Sequence, residues 1–132
     1  MSIIDLACDV NDAVEPTVVA PGEEYQIRII ECEARTDRNG NPFLFPRFEV
    51  VDEPTAKDFT MYLGLPTGDM EPKKLNRTKL RLKNFFDAFG VDPAGNVDTD
   101  ELRGLTAWAI LGVEDNEQYG PSNYIKKFLP QR

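Results

Sequence analysis

The chain has 132 residues, 41% hydrophobic and 29% charged, and its 15 basic against 23 acidic residues give a formal charge of −8. That size and composition suit one compact soluble domain, and there is no run of about 18 apolar residues to cross a membrane. With no histidine and only two cysteines, serine–histidine and cysteine–histidine nucleophilic sites are excluded, as is a four-ligand structural zinc site.

The start, MSIIDLACDV, has early acids and no basic region, unlike a signal peptide. The expected location is the cytoplasm, or the host's cytoplasm if the protein is viral. Residues 1–20 form an acidic arm, with Pro16 and Pro21 near its end, expected to be irregular or loosely attached. The domain proper is expected over 21–132. Cys8 and Cys32 read as free thiols, Cys32 packing in a strand as a small hydrophobe.

PGEEYQIRIIECEA predicts a first strand ending near Arg35. Asn39-Gly40 is a turn signal, since both residues tolerate positive φ. Residues 43–52 predict a second strand and FTMYLGL, 59–65, a third. The period then changes. Leu75, Leu82, Phe86 and Phe89 form a helical stripe, with Pro72 suited to the first turn and Gly90 to the position just past the end. Asp98 or Thr99 starts a short helical turn. LTAWAILGVED and NYIKKFLP predict the fourth and fifth strands. The expected fold is all-β with one helix: a five-stranded OB-fold barrel, its helix between the third and fourth strands, its sheet closed so that no edge is exposed.

In FLFPRFEV, residues 43–50, aromatic rings occupy both strand faces. A barrel gives the two faces separate tasks. Leu44, Phe48 and Val50 would fill the interior, while Phe43, Phe45 and Arg47 would face outward, joined by Tyr62 and Thr60. Ala107, Ala109, Leu111 and Val113 suit a tapered interior, which puts Trp108 outside or under the helix. Rings beside a guanidinium suit unpaired bases, because each base has a flat face to stack and each phosphate a charge to neutralise. Phe43 and Phe45 could equally extend the core beneath the arm or the helix.

Every charged residue from Asp5 to Glu24 is acidic, and every one from Lys73 to Lys83 is basic. The basic helix, with Lys73, Lys74 and Arg77, reads as a phosphate-tracking surface or as a solvated face. Lys126 and Lys127, flanked by Tyr124 and Phe128, mix cations with rings on one strand. The acidic arm would suit a position over the basic groove, in competition with DNA.

The pattern RLKNFFDAFG…ELRGLTAWAILGVED…YGPSNYIKKFLP resembles that of small phage proteins of the DUF669 type, over roughly residues 22–130. Gly90, Leu102 to Leu105 and Tyr119 to Pro130 carry the likeness. The resemblance implies a phage OB-fold protein that binds single-stranded DNA in replication or recombination. Bacterial-type single-stranded DNA-binding proteins end in an acidic tail, whereas this chain ends KKFLPQR, so partner recruitment through such a tail is not expected.

The expected function is sequence-independent binding of single-stranded DNA, with phage or host replication and recombination proteins as further partners and a homo-oligomer left open. The candidate contacts are Phe43, Phe45, Arg47, Tyr62, Lys73, Lys74, Arg77, Trp108, Tyr124, Lys126 and Lys127. No metal, cofactor or membrane partner is expected. The rival is a protein-interaction or virion accessory module, which the −8 charge suits. An enzyme is not expected: the acids Asp98, Asp100 and Glu101 read as a helix N-terminus rather than a catalytic cluster.

Overall fold

The longest strand sets the architecture. The structure, a computed structural model, describes residues 2–132, and in it β1 (Glu24–Thr36) pairs antiparallel with two partners. Residues 24 to 28 lie against β5 (Thr106–Asn116), and residues 27 to 36 against β2 (Pro42–Val50). Ile27 and Ile29 point inward and are fully buried. The register then slips at Ile30, and Cys32 becomes the next buried residue. Without that bulge the 27, 29, 31 alternation would drive Glu31 into the core; the extra residue bends the strand and turns Glu31 out. The turn to β2 is held by Asp37, whose carboxylate accepts the N–H groups of Asn39 (2.8 Å) and Asn41 (2.9 Å). Gly40, not Asn39, takes the left-handed conformation, with φ +82°.

The strand order is β3-β2-β1-β5-β6, all antiparallel, with β4 also on β2. The expected third strand is split into β3 (Phe59–Thr60) and β4 (Leu63–Gly64), yet both follow one register along β2. Between them the Met61 N–H donates to the Pro46 carbonyl (3.1 Å). Pro46 has no N–H to return, so one rung of the ladder is missing although the path is continuous.

The expected closure of the barrel is not present. Among the described residues β6 (Gly120–Phe128) pairs with β5 alone, and no hydrogen-bonded ladder joins it to β3, although the two strands approach each other. The third strand is short, and β6 carries a register shift at Lys126 that turns its edge, so neither offers the other a straight run of backbone groups. The helix α1 (Pro72–Ala88) contacts both β4 and β6 across this seam. It buries Leu82, Phe85, Phe86 and Ala88, and Phe89 just beyond its end. Phe48 stacks 6.0 Å from Phe89, and Phe128 of β6 packs edge-on to Phe85 at 6.1 Å. Side-chain packing thus fills the gap that backbone pairing leaves. Gly90, at φ +73°, ends the helix: its N–H bonds to the Asp87 carbonyl and that of Val91 to Phe86, which satisfies two orphan carbonyls.

The short helix α2 (Thr99–Leu102) is capped by Asp98, whose carboxylate accepts the Asp100 N–H at 2.9 Å. The acids there serve a helix start, as their spacing suggests. Cys32 is buried and Cys8 exposed, and neither is in a disulfide. The arm is tied down at its end. Thr17 bridges Ala56, and the buried Asn123 side chain accepts the Val19 N–H (2.9 Å) while donating to the carbonyls of Val19 (3.1 Å) and Gly112 (3.0 Å). Asn123 thus bonds both backbone groups of Val19 as a neighbouring strand would, two residues beyond the Thr17–Ala56 bridge. Among the described residues no helix is long and apolar enough to cross a membrane.

Candidate nucleic-acid interface

The two faces of β2 separate as the alternation requires. Leu44, Phe48 and Val50 are buried, while Phe43 and Phe45 are half-buried and Arg47 is exposed. On the outer face Phe43 stacks on Tyr62 with ring centroids 4.5 Å apart and planes 29° from parallel, and Phe45 meets Phe43 edge-on at 6.2 Å. Tyr62 retains 47% of its surface. Together the three rings form a small, partly exposed cluster, and Tyr62 shares a cleft wall with Lys74, Thr78 and Arg81 of α1.

β1 supplies the rest of this face. Arg35, Glu33 and Glu31 stand opposite Phe43, Phe45 and Arg47. The Arg35 guanidinium lies 4.5 Å from the centre of the Phe45 ring and pairs with Glu33 at 2.6 Å. This bond, with further bonding from Glu31 and the charge of Arg47, holds the Glu33 carboxyl below the usual carboxylate range. Arg28 pairs with Glu49 at 2.8 Å. Arg28, Arg35 and Arg47 therefore stand among Glu31, Glu33 and Glu49, and the face carries rings with nearly balanced charge. Toward the β5–β6 turn a cleft lined by Phe45, Arg47, Lys57, Thr60 and Tyr119, with Glu114 and Asp115, continues the platform. Lys57 is fixed there by bonds to the carbonyls of Tyr119 (3.2 Å) and Pro121 (2.9 Å).

The other candidates fall into separate places. Lys74 lines a cleft with Tyr62, and Lys126 and Lys127 line one between β6 and α1, whereas Lys73 and Arg77 line neither. Trp108 does face outward, but it is in register with Gln26, while Phe45 is in register with Glu33. Seven residues of strand separate those rungs, roughly 23 Å, so Trp108 is not part of the platform. Its ring instead carries the Arg132 guanidinium at 4.5 Å, itself paired with Glu24. The Tyr124 ring lies against Gly112 of its own strand pair, where an added Cβ would come within 2.5 Å of it, and it stays partly exposed. The acidic arm does not form ion pairs with α1 or β6 among the described residues, and its bonds to the rest of the chain run to residues 55–57, Tyr25 and Asn123. The position expected for it, over the basic groove, has no support in these contacts.

Sequence reasoning missed Arg35, Arg81 and Tyr119. Arg35 follows from the hairpin register once the turn at 37–41 is fixed. Tyr119 lies at a turn, where alternation gives no signal. In comparisons with known proteins, no family model and no curated protein matches this chain. The likeness to DUF669-type phage proteins rests on the residue pattern alone.

Proposed function

We propose that this protein is an OB-type barrel that binds single-stranded DNA without sequence preference, in phage replication or recombination. The observation that carries this reading is the outward Phe43–Tyr62 stack with Phe45 beside it, on the second and third strands. In OB-folds that surface is the ligand groove. The strand order supports the same assignment: first strand central, second and third to one side, fourth and fifth to the other. Side-chain packing by α1 replaces the missing third-to-fifth strand ladder. Bases would stack on the rings at about 1–3 kcal/mol each. The role needs no catalysis, metal or cofactor. Titration of a fluorescein-labelled oligo-dT at about 50 and about 200 mM salt tests it, because phosphate contacts make affinity fall with salt. Binding that weakens steeply supports the reading; no binding at the lower salt rejects it.

One observation favours the rival reading, a protein-interaction module. The arm exposes Ile3, Ile4, Leu6, Val10 and Val14, each by more than 60%, among acids. Apolar side chains on a segment without a core of its own suit a partner's groove. An arm-deleted chain that binds oligo-dT normally would assign the two roles to separate parts.

A further inference from the structure

The ring platform has little net charge, so it cannot by itself provide the field that holds a polyanion. Further unpaired cations lie beside it. Among the described residues, ion pairs engage Arg28, Arg35 and Arg132, and none engages Lys74, Arg81, Lys126 or Lys127. Two clefts connect these four. One, about 500 Å³, runs from Tyr62 along Lys74, Thr78 and Arg81, with Asp69 and Glu71 also in its wall. The other, about 470 Å³, lies over the open seam between Met61 and β6 and holds Arg81, Asn84, Lys126 and Lys127 without a carboxylate. Arg81 belongs to both.

We infer that the phosphates of a bound single strand run along this seam, from Lys74 past Thr78 and Arg81 to Lys126 and Lys127, while its bases reach Tyr62 and Phe43. This rests on the single-stranded DNA reading above and specifies its electrostatic half. Two local features build the track. On α1, positions 74, 78 and 81 repeat at helical spacing along one edge of the buried stripe, so they face the seam. Lys79 and Lys83, each two residues from Arg81, are turned roughly 200° away. On β6, a regular strand would send Lys126 and Lys127 to opposite faces. The register shift at Lys126 removes that alternation, and both line one cleft. Side chains fill the seam from within, and the cleft above it, between Met61 and β6, is the place where a nucleic-acid backbone can settle.

The test compares three double variants in the full chain, each first checked for an unchanged melting temperature: Arg81→Gln/Lys126→Gln, Lys79→Gln/Lys83→Gln, and Phe43→Ala/Tyr62→Ala. The probe is fluorescein-labelled oligo-dT over a salt series. The track predicts that R81Q/K126Q weakens binding roughly tenfold at low salt and flattens the log–log salt slope by about 1.4, at about 0.7 per lost phosphate contact. K79Q/K83Q, with the same change in net charge, should stay within about twofold of the parent. Equal losses in the two charge variants would overturn the track in favour of a net-charge effect. An unaffected R81Q/K126Q beside a weakened F43A/Y62A would overturn the track and leave the ring platform standing. A selective loss in R81Q/K126Q with F43A/Y62A unaffected would uphold the track and reject the platform. A parent that does not bind would reject both.

Discussion

Phe45 and Phe48 lie three residues apart on one strand and have opposite environments. Phe48 is fully buried, with Phe59, Phe85 and Phe89 around it at centroid distances of 5.3 to 6.4 Å. Phe45 lies outside, against Phe43 on one side and the Arg35 guanidinium on the other. The residue type is the same, and strand parity together with what covers each face decides the role. Of the eight phenylalanines, six build the interior or pack against it, and Phe43 and Phe45 do not. On the outer face Phe43 contacts both Phe45 and Tyr62.

Substitutions should separate the two clusters. Phe48→Ala leaves a cavity in a packed aromatic centre and should cost about 3–5 kcal/mol in denaturant unfolding, or abolish the cooperative transition. Phe45→Ala should cost about 1 kcal/mol or less; a loss equal to that of Phe48 would place Phe45 in the core. Phe43→Ala/Tyr62→Ala reverses the order of effects. Stability should hold within about 1 kcal/mol, while oligo-dT affinity falls by about 1–3 kcal/mol per lost base stack. Asn123→Ala removes the bonds that pin Val19 and should cost about 1–3 kcal/mol. Amide exchange should quicken at Val19 while staying slow at Ile27; slow exchange at both would show the arm held by something else.

Smaller effects refine the electrostatics. Removing carboxylates from the ring face, in Glu31→Gln/Glu33→Gln, should tighten oligo-dT binding several-fold at low salt and little at high salt. Unchanged affinity at low salt would mean the strand avoids that face. Burial, with the charge of Glu33, pushes the Cys32 thiol up to about 11. The unfolded chain would lose this proton near pH 9, the folded chain only near 11. The contribution to stability is therefore complete below about pH 8.5 and declines as pH rises toward 11. Chemical unfolding of the parent and Cys32→Ala across that range should converge on the alkaline side. At pH 8 a thiol reagent should modify Cys8 quickly and Cys32 only on unfolding.

Much of this was legible in the sequence because it depends on short-range pattern. The split of FLFPRFEV into two faces, the helix from Pro72 with Gly90 just past its end, and Asp98 as a cap all follow from spacing and local bonding. The departures occur where one residue breaks a period. Pro46 removes a rung and divides the third strand. The irregularity at Ile30 turns Glu31 outward, and the one at Lys126 brings two successive lysines into one cleft. Spacing along one strand could not show that Trp108 is far from Phe45, because their separation depends on how far each neighbour slides along β1. The pairing that neutralises the ring face was hidden for the same reason: Arg35 and Glu33 become neighbours of Phe43 and Phe45 only once the hairpin register is set.

The most direct measurement follows fluorine resonances of the protein carrying 4-fluorophenylalanine during an oligo-dT titration. The signals of Phe43 and Phe45 should shift or broaden in proportion to bound oligonucleotide, while those of Phe48 and Phe85 stay in place. Saturation with no change at Phe43 or Phe45 would contradict the claim that the outward rings of β2 receive the bases.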